Sequence, residues 1–243
     1  MNLKNIALAG AALSATVFCG AVSADSAVES SNIVGYSTQL TAVEGYAPFT
    51  PNFTSVSNDE VFNLSDIAGE FSLYDSIQIF GAGGDVEIEY VWRKVGGVLG
   101  WWYETDDGWI SAANATINRG TSFWFSTSDA IDVTVSGAVA KKAFETTFNE
   151  GYTPTGNPMA IPVKISEIEF SDQSLYDSIQ VFGNGGDVDT EYVWRKVGGV
   201  LGWWYETDDG WVSAADVVLQ PGQAFWYSAI SDGVTMKINP PSL

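Results

Sequence analysis

The chain contains no histidine and a single cysteine, Cys19. Without histidine there is no Ser-His-Asp triad, no imidazole general base and no histidine metal site. Cys19 sits inside a leader-like stretch, so the rest of the chain has no thiol for catalysis, thiolate metal binding or a disulfide. Basic residues are also scarce, 10 Lys and Arg against 30 Asp and Glu, for a net charge of −20. That balance argues against nucleic acid, which takes a basic surface to displace its counterions, and against anionic membranes. No phosphate-binding loop or dinucleotide fingerprint is present. A pair of carboxylates can hydrolyse a glycoside, but 30 acidic residues guarantee such pairs, so their existence says little. The expectation is a protein that is not an enzyme.

The first 24 residues read as a secretory signal peptide. Lys4 supplies the positive start, Ile6 to Phe18 the apolar run, and Val22-Ser23-Ala24 the small-residue cleavage site before Asp25. The apolar run is shorter than the roughly 20 residues a spanning helix needs, and no later run is long enough. Phe18 occupies the place before Cys19 where a lipid-anchor motif calls for a small residue. The implied location is secreted, extracellular or on the cell surface, without membrane insertion. Removing Lys4 with the leader leaves a net charge of 9 − 30 = −21.

What the sequence has in abundance is repetition. Residues 72–113 and 174–215 form two 42-residue blocks that differ at only five positions, 79/181, 82/184, 87/189, 88/190 and 110/212. The offset of 102 extends to Trp124 and Trp226, while upstream Gly45-Tyr46 matches Gly151-Tyr152 at an offset of 106. Each unit is then about 100 residues, an ordinary domain size. Alternating Val, Tyr and Trp between recurrent Gly and Asp-Gly turns reads as β-strand. Gly96-Gly97 predicts a tight hairpin, Asp106-Asp107-Gly108 a second turn, and Ser65-Asp66-Ile67 and Ser166-Glu167-Ile168 single helical turns. The fold class expected is all-β: a leader at 1–24, then two tandem β-sandwich or short-barrel domains at 25–138 and 139–243.

The hairpin register assigns faces. Pairing Val95 with Val98 makes each pair sum to 193, so Tyr90, Trp92, Trp101 and Tyr103 form an aromatic ladder, expected to face the core. The opposite face carries Glu89, Arg93, Trp102 and Glu104. There Trp102 and Trp109, with Trp204 and Trp211 in the second copy, are candidate glycan contacts, and Arg93 lies diagonal to Trp102 for stacking. Glu89 falls opposite Glu104, and Glu191 opposite Glu206. Like charges in register invite a cation, so these four are candidate calcium ligands; no other cofactor is expected. Gly81-Ala82-Gly83-Gly84-Asp85 is similar to the glycine-and-aspartate calcium repeats of β-helices, though it occurs once per unit.

A third reading concerns assembly. Asn32 to Thr41 is an amphipathic strand with Val34, Tyr36, Thr38 and Leu40 on one face. The counterpart before the second unit, Gly137 to Thr147, runs on from the end of the first, and Val234 to Ile238 stops at Asn239-Pro240-Pro241. A leading strand and an uncompleted edge predict head-to-tail self-association by strand addition into a fibre or surface matrix.

Ser31-Asn32-Ile33-Val34-Gly35-Tyr36, with Gly151-Tyr152, Gly156-Asn157-Pro158 and Pro221-Gly222-Gln223-Ala224-Phe225-Trp226, resembles tandem β-domain secreted proteins of the Verrucomicrobia–Lentisphaerae bacterial group. The likeness covers most of the chain after the leader. Unit one departs from it with Phe49-Thr50-Pro51-Asn52. The resemblance implies secretion and a tandem β fold, and transfers no site residues. The expected partners are therefore a second copy of the chain or, alternatively, a glycan bound at two equivalent sites.

Overall fold

A computed structural model describes residues 36–240 apart from positions 43 and 184. The leader at 1–24 and Val34 lie outside the described residues. No helix among the described residues is long and apolar enough to cross a membrane.

The protein is all-β, with antiparallel sheets and no closed barrel. In the first half the strands are β1 (Tyr36–Ala42), β2 (Gly45–Phe49), β3 (Val61–Asn63), β4 (Ile67–Gly69), β5 (Ser76–Phe80) and β6 (Val86–Val95). They continue as β7 (Val98–Thr105), β8 (Gly108–Ser111), β9 (Thr116–Asn118), β10 (Phe123–Thr127) and β11 (Ile131–Gly137). The second half runs through β12 (Phe144–Phe148), β13 (Gly151–Gly156), β14 (Val163–Lys164), β15 (Glu169–Ser171), β16 (Ser178–Phe182) and β17 (Val188–Val197). It ends with β18 (Val200–Thr207), β19 (Gly210–Ser213), β20 (Val218–Leu219), β21 (Ala224–Ala229) and β22 (Val234–Ile238). The two halves repeat one topology. The order β2-β10-β5-β6-β7-β8 recurs as β13-β21-β16-β17-β18-β19, β1-β11-β4 as β12-β22-β15, and β3-β9 as β14-β20. Single 3₁₀ turns at Leu64–Asp66 and Ile165–Glu167 stand where the helical turns were expected.

Alternation builds each core. Ile77, Phe123, Phe125, Tyr90 and Trp101 of the six-stranded sheet share one buried cluster with Val133 and Val135 of the three-stranded sheet, a sandwich-like arrangement. The second half repeats it with Ile179, Phe225, Tyr227, Trp203, Val234 and Met236. The aromatic ladder faces this core: Trp92 and Trp101 meet edge to face at 5.1 Å, and Phe71 packs on Trp101 at 4.7 Å. The hairpin turn is set by backbone sterics. Gly96 and Gly97 have φ of 58° and 90°, Gly198 and Gly199 57° and 89°, the doubly positive pattern of a tight hairpin.

Two expectations fail here. Strand β1 is not a free leader: it pairs antiparallel with β11 of its own half from Tyr36–Gly137 to Ala42–Ile131. Nor is the C-terminal strand an uncompleted edge, because β22 lies between β12 and β15 and is paired on both sides. At the C-terminal end strand addition thus has no open ladder to join, while β1 is the edge strand of the order β1-β11-β4, paired on one side. The extended junction is also broken: β11 ends at Gly137 and β12 starts at Phe144, in different sheets.

The halves meet through the outer faces of β5, β10 and their counterparts. The Gly83 N–H donates to the Tyr152 carbonyl at 3.0 Å, and the equivalent Gly185 N–H donates to the Tyr46 carbonyl at 2.8 Å. Phe80 packs on Trp226 at 5.9 Å while Phe182 packs on Trp124 at 5.2 Å. Residue i touching j, and the partner of j touching the partner of i, is the signature of a two-fold contact. The segment Gly81–Asp85 is thus a clasp between halves. Arg119, whose counterpart is Pro221, adds an asymmetric tie. Its guanidinium donates to the carbonyls of Lys142 and Ala143 at 3.1 and 3.4 Å and to Met159 Sδ at 3.2 Å. Burial lowers the Arg119 pKa, against the raising effect of Glu60 and Asp59.

Candidate functional site

The joint covers one end of each six-stranded sheet and, among the described residues, leaves the outer face of β6, β7 and β8 uncovered. Three strands arrange the candidates there. Val91 pairs with Trp102 and Trp102 with Ser111; Arg93 pairs with Gly100; Glu104 pairs with Trp109. Trp102 and Trp109 are both half-buried.

Arg93 stacks on Trp109, not on Trp102. Its guanidinium carbon stands 3.7 Å from the Trp109 ring centroid, and Arg195 stands 3.7 Å from Trp211. The reason is Gly100, directly across from Arg93, which offers no side chain to stop it. The long stem crosses β7 toward β8, about 10 Å away at two strand spacings. A cation over an indole face contributes about 0.5–2 kcal/mol according to its desolvation. The Nε of Arg93, the Nε1 of Trp102 and their second-half equivalents Arg195 and Trp204 are buried without a hydrogen-bond partner. The result is a strip of indole and guanidinium edged by the exposed carboxylate of Glu104.

The carboxylate pairs do not form as expected. The β6–β7 ladder ends at Val91–Trp102, short of Glu89 and Glu104. Glu89 turns toward β5 instead, accepting from Ser76 Oγ at 2.8 Å and Gln78 Nε2 at 2.9 Å. Glu191 does the same with Ser178 and Gln180, at 2.7 and 3.0 Å. Hydrogen bonds relieve the like-charge opposition that a cation was invoked to relieve. Among the described residues no group of three or more carboxylates converges on a common point that would hold a metal. Around Glu206 a shallow groove is lined by Glu191, Tyr205 and Trp211, so the second copy of the strip opens on a carboxylate-rich edge.

One turn was not singled out from sequence. Tyr74 and Tyr176 have φ of 77° and 78°, a left-handed conformation costly for an aromatic residue. Each is held by a buried aspartate next in sequence. Asp75 accepts the Ser72 N–H at 2.8 Å and the Ser128 N–H at 2.9 Å; Asp177 accepts the Ser174 N–H at 2.9 Å and the Ile230 N–H at 2.8 Å. The repeated Ser-Leu-Tyr-Asp was the available signal.

Compared with known protein families, characterised proteins and solved structures, the chain matches none. The likeness drawn from short Gly-Tyr, Gly-Asn-Pro and Pro-Gly signals gains no support from these comparisons.

Proposed function

We propose that this is a secreted, non-enzymatic binding protein that presents two equivalent saccharide-binding strips, one on each half. The observation that carries the reading is where the sequence identity lies. The 42-residue blocks that differ at five positions span β5 to β8, the strands bearing the strip, while the flanking strands that complete each core differ freely. Phe125 stands against Tyr227 at the offset of 102, and Val133, paired with Gly69, stands against Met236, paired with Phe170. Folding to the same strand order tolerates that divergence, so the near-identity of the block exceeds what the fold requires. Indole faces suit the apolar faces of sugar rings, and the guanidinium and carboxylate at the edge suit hydroxyl groups. Two sites on one rigid chain raise avidity for a repeating polymer.

The test is calorimetry against a panel of soluble oligosaccharides. Binding at two sites per chain, lost in Trp102→Ala with Trp204→Ala at an unchanged melting temperature, is the expected result. Binding that persists in the double variant, or no binding across the panel, overturns it. A second reading, an extracellular structural protein that associates with itself, is favoured by the exposed apolar ends of the two sheets.

A further inference from the structure

The two ends of the β6–β7 hairpin carry opposite chemistry. At the turn end, Leu73, Tyr74, Val98 and Leu99 are 55%, 73%, 62% and 54% exposed. The register gathers them: Lys94 faces Leu99, Val95 faces Val98, and the Tyr74 N–H donates to the Trp92 carbonyl at 2.8 Å. Lys94 supplies the charge at this end, and residues 92–101 contain no acid. At the other end Asp85, Glu87, Glu89, Glu104, Asp106 and Asp107 are all exposed. Among them stand exposed Val86, Ile88 and Ile110. Ten residues of β6 separate these ends by about 33 Å, so a hairpin cannot satisfy its own tip.

The second half repeats the arrangement, with Leu175, Tyr176, Val200 and Leu201 at 52–62% exposed beside Lys196. Two of the chain's 10 basic residues, Lys94 and Lys196, therefore lie at two small apolar tips on a body of net charge −20. Contiguous exposed apolar surface marks a contact site. The strained turn adds a second sign. Tyr74 and Tyr176 are held at positive φ by buried aspartates and still point to solvent, a conformation that persists only where its surroundings impose it.

We infer that the basic, apolar hairpin tip of one copy docks on the acidic, apolar hairpin end of another copy. Charge complementarity selects the partner: the chain itself supplies the surface of opposite sign with apolar residues set among the carboxylates. The contact is heterologous, and each chain has two tips and two acidic ends, so it builds a closed ring or an open fibre according to the rotation between copies. The inference deepens the self-associating reading and is independent of saccharide binding.

Sedimentation velocity on the purified protein, without saccharide, tests it. The contact is ionic at its core, so mass should rise with concentration at about 0.01 M salt and return to a single chain at about 1 M, where screening shortens to about 3 Å. Lys94→Glu with Lys196→Glu should abolish the assemblies. So should Asp106→Lys and Asp107→Lys with Asp208→Lys and Asp209→Lys, and mixing the two variants should restore heavy species. If a charge reversal unfolds the chain, Val98→Ser with Val200→Ser at the exposed turn takes its place. A single-chain mass at every concentration in low salt overturns the inference. Assemblies that survive both reversals overturn it too, as does tip-dependent binding of an acidic polysaccharide with no change in mass.

Discussion

Trp124 and Trp226, equivalent residues of the two halves, meet each other across the joint with ring centroids 6.2 Å apart. A residue that touches its own counterpart lies beside a local two-fold axis, and the glycine clasp is built around this pair. A Cβ on Gly186 would stand 2.7 Å from the Trp124 ring, and one on Gly84 would stand 2.9 Å from the Trp226 ring. The glycines are there because the indoles of the opposite half occupy the space a side chain would take.

The clasp separates conformational strain from packing. Gly83 and Gly84 both have positive φ, 97° and 90°, but a Cβ on Gly83 meets nothing within 4 Å. Gly83→Ala should cost about 1–2 kcal/mol from the left-handed backbone alone. Gly84→Ala adds the collision with Trp226 and should cost more, with further loss from displaced ring contacts. Urea midpoints of the two variants give the comparison. Equal losses would mean that the indole does not hold the joint.

The buried aspartate should control the exposed tyrosine. Asp75 Oδ1 accepts the Ser128 N–H at 2.9 Å and its Oδ2 accepts the Ser72 N–H at 2.8 Å, so both oxygens are occupied from opposite sides. Asp75→Asn replaces one acceptor with a donor that faces an N–H. A loss of about 1.5–3 kcal/mol is expected, the range for hydrogen bonds to a charged group. Tyr74→Gly should instead stabilise, since glycine takes positive φ without strain. Thermal melting of both variants checks the pair of signs.

Alkali should find the second half first. Burial raises the Tyr227 hydroxyl pKa far above its ordinary value of 10.0, and Asp177, which accepts its hydrogen bond at 2.9 Å, raises it further. Burial also raises Tyr90 and Tyr192, each reinforced by a neighbouring tyrosine. The folded state holds these protons where the unfolded chain releases them. Stability is therefore complete below pH 10 and falls as pH rises beyond it. Phe125 occupies the equivalent place in the first half. Tyr227→Phe should move the alkaline unfolding midpoint upward, measured by circular dichroism from pH 9 to about pH 12. An unmoved midpoint would assign alkaline unfolding to other groups.

Much of the fold was legible locally. Period-two alternation, the doubled glycine of the turn and the arithmetic of the register placed the hairpin and its two faces, because in a strand the side-chain period is two whatever surrounds it. Arg93 went wrong because reach across a strand depends on what stands opposite, and Gly100 left the way open. Glu89 went wrong because a register says which residues are neighbours but not where a ladder ends. The pairing of β1 with β11 was not legible because an amphipathic strand reads the same whether its partner lies in its own sheet or in another molecule.

The sequence by itself determined that this is a β protein without histidine and with a single cysteine, strongly acidic, with a nearly identical block written twice. Those properties depend on residue type and on neighbours along the chain. Only the tertiary structure decided what each copy meets. It closed β1 on β11 and enclosed β22, it turned Gly81–Asp85 into a clasp, and it left one strip and one basic tip on each half facing water. Such pairings bring together residues about 70 to 105 positions apart, such as Thr50 with Ser122 and with Thr155, and no local pattern encodes a distance of that kind.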